Sequence, residues 1–208
     1  MSSHLAIAAV TETLWALLRR AAEVVPGARV TVSHPADIAR QGGHGINLFL
    51  YEITTEHLVA NPLRAPRADP TLVQRPAQRI NLAYVLTATG DHVTMKPERL
   101  MGRAISILGD HPVLTRDLIT HALRSAGNWA KPQDLGDLGR VTLQPHDPSP
   151  QELARVWSLF DGPYLLSRVY MVRGVGVGPD TQVRPVRPVD TTLAQPGDDV
   201  TTPPSDAT

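Results

Sequence analysis

The segment Trp157-Ser158-Leu159-Phe160-Asp161-Gly162-Pro163-Tyr164-Leu165-Leu166-Ser167-Arg168-Val169-Tyr170 joins the end of an amphipathic helix, a Gly-Pro turn and the start of a long apolar strand. Upstream, Ser149-Pro150-Gln151-Glu152 is a helix-start signal, with Ser149 as cap and Pro150 at the first position, where its missing N–H costs nothing. Leu153, Val156, Trp157 and Phe160 recur at steps of three and four and share one helix face. Downstream, residues 165–175 are predicted to be the last and longest strand. The chain is only 4% aromatic, so Trp157 and Tyr170 are expected to be packing anchors of the core. The block carries no catalytic apparatus. It points to a protein that holds a shape and presents surfaces.

Working outward, residues 5–23 are predicted as a helix, with Ile7, Val10, Leu14, Leu17 and Ala21 on one face, Ser2 or Ser3 as cap and Pro26-Gly27 as stop. Val30-Thr31-Val32 is a short strand. Gln41-Gly42-Gly43-His44-Gly45 is a loop that feeds the strand 46–53, apolar on both alternations and so expected to be central and covered on both faces. In the next strand, 80–87, Ile80, Leu82, Tyr84 and Leu86 share one face, and Asn81, Ala83, Val85 and Thr87 the other. A helix opens at Pro97-Glu98 with the stripe Leu100, Met101, Ala104, Ile105 and Leu108, and Gly109-Asp110-His111-Pro112 stops it. Residues 117–125 form a shorter helix, and Val141-Thr142-Leu143 a strand. The order predicts an α+β domain: a mixed, largely antiparallel sheet with helices packed on it. That domain is placed at residues 1–177. Residues 178–208 hold six prolines, few large apolar groups and many Thr and Asp, and are expected to be a disordered tail.

With 208 residues and no cysteine, the chain is long enough to build a core without staples, and disulfides and thiolate metal sites are excluded. The 20 basic and 20 acidic residues cancel, so no global field attracts nucleic acid or an anionic membrane. The cancellation hides an asymmetry. Residues 178–208 carry two Arg and five Asp, and the rest 18 basic and 15 acidic residues, for net charges of −3 and +3. No apolar run reaches membrane-spanning length, and the N-terminus lacks a basic signal-peptide start, so a cytoplasmic start is expected. The eight histidines show no His-x-x-x-His or His-Glu-x-x-His spacing, and most flank turn residues, so no metal and no cofactor is expected. Gly42-Gly43-His44-Gly45 lacks the Lys-Ser/Thr of a phosphate loop and precedes a strand. Gly174, Gly176 and Gly178 end or bend the last strand. No Gly-x-Ser-x-Gly elbow occurs, and the carboxylates form no acid-base motif.

Residues 57–79 stand apart. They contain Pro62, Pro66, Pro70 and Pro76 with Arg64, Arg67, Arg75 and Arg79, and Asp69 as the one acid. Proline density prevents regular structure there, and a loop of this length is either functional or a solvated variable segment. As an interaction arm, its arginines would make planar charge-assisted contacts with acids on a neighbour. Nucleic acid fits poorly, because the loop offers no aromatic ring for stacking.

Five ordered segments resemble the N-terminal domain family of tail cap, or tail terminator, proteins of phage-tail-like contractile injection systems. They are Leu5-Ala6-Ile7-Ala8-Ala9-Val10-Thr11, Asn47-Leu48-Phe49-Leu50-Tyr51-Glu52-Ile53, Ile80-Asn81-Leu82-Ala83-Tyr84-Val85-Leu86-Thr87, Leu108-Gly109-Asp110-His111-Pro112-Val113-Leu114 and the opening block. The resemblance covers about residues 5–177. Where the family pattern places an Asn and later an Arg-Asn pair, this chain has Glu56 and Ala60-Asn61. The resemblance implies a tail-terminator-like fold and a non-enzymatic subunit. It implies a homo-oligomeric ring, expected to be hexameric, that ends the inner tube and ties it to the sheath. Its partners would be its own copies, the tube protein and the sheath protein, in a particle assembled in the cytoplasm. Asn61, Arg64, Arg67, Arg75 and Arg79 are then the candidate interface. The competing readings are a phage tail completion protein, a small hydrolase or transferase with an unrecognised site, and a monomeric adaptor using the arginine-proline segment.

Overall fold

A computed structural model describes residues 4–56, 78–127, 135 and 138–178. Its organising element is the strand β3 (Gln78–Thr89), which is buried on both faces over most of its length. The alternation predicted for it separates two cores. Ile80, Leu82, Tyr84, Leu86 and Ala88 enter the larger one, and Val85 enters a smaller one with Trp157 and Phe160.

Around β3 a six-stranded sheet runs in the order β1 (Arg29–Thr31), β2 (Gly45–Thr55), β3, β6 (Leu166–Val177), β5 (Val141–His146), β4 (Val113–Leu114). Only the β1–β2 pair is parallel. The fold is thus α+β with a mixed, largely antiparallel sheet, as predicted. On the larger-core face lie α1 (Ala6–Ala22), α3 (Lys96–Gly109) and α4 (Arg116–Ser125), with α1 in contact with both others. On the other face lie α2 (Pro35–Gln41) and α5 (Pro150–Ser158), which meet through an aromatic cluster. His34 and Phe49 each stack edge-to-face on Phe160, which stacks in turn on Trp157.

The helix ends follow local chemistry. Ser149 Oγ accepts from Glu152 N, and Glu152 Oε2 accepts from Ser149 N at 2.8 Å, a full capping box. Thr115 Oγ1 caps α4 by accepting from Leu118 N. The first residue before α1 is Leu5, which gives no side-chain cap; Ser2 and Ser3 lie outside the described residues. α2 was not predicted. Its signal is local: His34 Nδ1 accepts from Ala36 N, and Pro35 presets the first turn.

Several expectations need correction. Ile105 is 38% exposed and Ile107 takes the inward place, because a 3.6-residue turn carries position 105 away from the line through 100, 104 and 108. The two-residue β4 exists only through pairing with β5. β2 is buried over its first half and exposed over its last four residues, beyond a bulge between Leu50 and Glu52. β6 bends at Gly174 and stops before Gly178, as expected of its glycines, but it runs to Val177, two residues past the predicted end, equalling β3 in length. Gln78 and Arg79 belong to β3 and not to a loop, because β6 extends far enough to pair with them.

Two polar devices tie the layers together. Asn47, buried in β2, accepts at Oδ1 from Thr31 Oγ1 and Ser33 N and donates from Nδ2 to Ser33 O, which fixes the β1–α2 connection. Tyr84 on β3 and Thr11 on α1 share a 2.8 Å hydrogen bond. The edge strand β1 is covered from α1: Trp15 Nε1 donates to Val30 O at 3.2 Å, and Arg19 sits over the Trp15 ring.

Candidate functional site

One end of the sheet gathers points from which residues 57–77, 136–137 and 179–208 leave. Glu56 follows β2 and donates its backbone N–H to Arg79 O at 2.9 Å. Gln78 opens β3 opposite Val177, the last residue of β6. Leu138 O accepts from Gly176 N at 3.1 Å. Both ends of residues 57–77, the residues just before Leu138 and the tail after Gly178 therefore join the body at this end.

The corner is built by a second bulge, where β6 carries the extra residue opposite Asn81. Gly174 takes φ +78° there, and its N–H donates to Asn81 Oδ1 at 3.4 Å. A Cβ on Gly174 would stand 2.7 Å from Arg140 O, so glycine is needed for both conformation and approach. The Arg79 guanidinium lies beside the two glycine backbones: a Cβ on Gly139 would be 3.5 Å from its Nη2 and one on Gly174 3.7 Å from its Nη1. Arg140 and Arg173 are exposed at the same corner. Among the described residues none of these three arginines is in an ion pair. Glu56 Oε2 is buried there without a hydrogen-bond partner among the described residues.

Of the residues singled out in the sequence, Arg79 is at this corner, while Asn61, Arg64, Arg67 and Arg75 lie outside the described residues. The predicted tail, residues 178–208, lies outside them after Gly178. Trp157 and Tyr170 are 6% and 4% exposed, on opposite faces of the sheet: Tyr170 pairs with Tyr84 in the larger core, and Trp157 belongs to the smaller one. Arg140 and Arg173 escaped the sequence reading. They are distant in sequence and become neighbours through β5–β6 pairing, and the outward strand position of Arg173 was the one available signal.

Elsewhere the chemistry is structural. Burial raises the pKa of Tyr84, Tyr51 and Tyr170, with Glu52 and Glu152 adding to the rise at Tyr51 and Arg168 opposing it at Tyr170. A cleft of about 330 Å3 beside Gly42, Gly43 and His44 also has Arg29 and Thr89 in its wall. His44 Nε2 is engaged there with Pro26 O at 3.0 Å. Among the described residues no group of three His, Asp or Glu is placed to hold a metal, and no helix is long and apolar enough to cross a membrane.

Residues 9–191 match the Pvc16 N-terminal domain. The chain belongs to that family. No curated protein matches it. Two solved structures share the fold of this Pvc16 N-terminal domain. One is the sheath/tube terminator of the extracellular contractile injection system PVC in its extended state, at TM-score 0.56 and 18% identity over 92% of this chain and 64% of that one. The other is the tube-terminating cap of the anti-feeding prophage, AFP, at TM-score 0.54 and 16% identity over 89% of this chain and 60% of that one. The chain thus spans about three fifths of the length of the structures it resembles.

Proposed function

We propose that this Pvc16-family chain is a structural, non-enzymatic terminator subunit of a contractile injection particle. Copies of it close into a ring, six-fold by the family resemblance, that ends the inner tube and ties it to the sheath. The observation that carries this reading is the convergence of residues 57–77 and the tail on one basic corner of a rigid body with a terminator-like fold. A closed ring needs heterologous contacts, and segments that leave one corner of a rigid body suit such contacts with neighbours. Its partners are its own copies, the tube protein and the sheath protein, and neither nucleic acid nor a membrane is among them. The subunit is made in the cytoplasm and incorporated into the particle there.

Arg64, Arg67 and Arg75 form the reaching part of the interface. Arg79, held against Gly139 and Gly174, shapes the corner from which that part leaves. The test mixes the full chain with its tube protein and reads native mass and tube length. A closed ring on tube ends is expected, with tubes of defined length. Replacing Arg64, Arg67 and Arg75 together by Ala is expected to weaken assembly without altering the unfolding midpoint. A chain that stays monomeric and leaves tube length unchanged defeats the proposal.

A further inference from the structure

Residues 149–164, which hold α5 and the turn that leads toward β6, rest on the sheet by packing alone. Among the described residues, every hydrogen bond they make stays within the segment. These are the Ser149–Glu152 capping box, the α5 backbone bonds, Ser158 Oγ to Arg155 O, Leu159 N to Val156 O and Phe160 N to Trp157 O. Trp157 is the one buried residue of α5, and Phe160 joins it against Val85. On the opposite face, by contrast, α1 is tied to the sheet through Thr11–Tyr84 and Trp15–Val30. The face beneath α5 also holds polar groups with nothing to bond. Trp157 Nε1, Thr87 Oγ1 and Ser167 Oγ are buried and have no hydrogen-bond partner among the described residues. Thr87 is two residues from Val85, hence on the same face of β3, and it pairs with Ser167 of β6. In the turn, Asp161 takes φ +48°, a left-handed conformation that residues other than glycine rarely adopt.

Closing this layer buries two aromatic side chains, which is favourable. It also takes three polar groups out of water without giving them partners, and it orders a whole segment of chain. The opposed terms leave the closed position a narrow margin. We propose that residues 149–164 are a lid that lifts off the sheet as a unit while the strands and the larger core stay folded. Its junctions are Asp147-Pro148, just after β5, and Leu165, just before β6. In the closed position it meets α2 where Gly162 lies against Ala36 and where Phe160 stacks on His34. Lifting hydrates Trp157 Nε1 and the two hydroxyls, relieves the backbone at Asp161 and bares Phe49 and Val85. It breaks the smaller core and leaves the packing of α1, α3 and α4 untouched, as a separate cooperative unit of low stability does. The lid concerns one subunit and stands apart from the ring reading.

The test is native-state hydrogen exchange of the full-length chain in increasing urea. The amides of residues 153–160 are expected to exchange at least about tenfold faster than those of Leu14, Leu17 and Leu18 in α1, with little urea dependence below the unfolding transition. A staple then closes the lid. A Cβ on Gly162 would stand 3.6 Å from the Ala36 Cβ, within the range a disulfide bridges, and the natural chain has no cysteine to compete. In the chain carrying Ala36→Cys and Gly162→Cys, the gap between α5 and α1 exchange should vanish on oxidation and return on reduction. A second chain, Thr87→Val with Ser167→Ala, lacks two of the groups that the closed lid leaves without partners. Its α5 exchange should slow about tenfold, with the fold intact by circular dichroism. Amides of α5 that exchange at the α1 rate and with the α1 urea dependence overturn the lid. So does a gap that survives oxidation, or α5 exchange that the hydroxyl variant leaves unchanged or accelerates.

Discussion

The hydrogen bond between Tyr84 and Thr11 yields a prediction whose sign depends on background. Thr11 Oγ1 donates to Ile7 O at 3.0 Å, so at 2.8 Å from Tyr84 its oxygen is left to accept the tyrosine proton. Tyr84 is fully buried. Replacing it by Phe deletes a donor whose acceptor already has another bond, at a cost of about 1 kcal/mol. Replacing Thr11 by Val strands the buried phenol and costs about 1–3 kcal/mol. In the Thr11→Val chain, Tyr84→Phe removes that stranded group and becomes neutral or stabilising. Urea unfolding of the four chains, with constant m-values, measures the coupling between the two sites. Tyr84→Phe destabilising by the same amount in both backgrounds would refute the reasoning. The same phenol governs alkaline stability. Its folded pKa is raised by burial, so its contribution is complete below the unfolded value of about 10 and is lost as pH rises beyond that, at up to about 1.4 kcal/mol per pH unit. The Phe variant should show a shallower alkaline decline, with Tyr51 and Tyr170 supplying what remains.

Two further outcomes test the corner and the α5 cap. Gly174→Ala would force a side chain to φ +78° with its Cβ 2.7 Å from Arg140 O; a loss of about 1–3 kcal/mol in urea unfolding is expected, and an unchanged midpoint would count against the bulge. Ser149→Ala should cost about 1 kcal/mol by removing the cap. The N–H donated by Ser149 holds the Glu152 carboxyl below its ordinary pKa, so that contribution is present above about pH 4 and lost on acidification, a dependence that Glu152→Gln should erase in acid unfolding curves.

Local signals were legible wherever the chemistry is local. The Ser149-Pro150-Glu152 start, the Leu100–Ala104–Leu108 stripe and the two-faced alternation of residues 80–87 all formed as their spacing requires. Ile105 was misplaced because an i+4 step from Met101 looks apolar on paper, while the helix phase set by Leu100, Ala104 and Leu108 turns it to solvent. Val113-Leu114 carries too few residues for a strand signal and is one only because β5 lies beside it.

The candidate site divides the same way. Proline and arginine in residues 57–79, and charge imbalance in residues 178–208, are compositional and stand in the sequence alone. That both segments leave one corner could not be read there. It follows from β6 pairing with both β3 and β5 and from the bulge at Gly174, which bring residues 56, 78, 138 and 177 together across long sequence separations. Likewise, the sequence alone determined that Trp157 and Tyr170 are large apolar groups at inward positions. Only the sheet, by giving each strand two faces, decided that they anchor different cores.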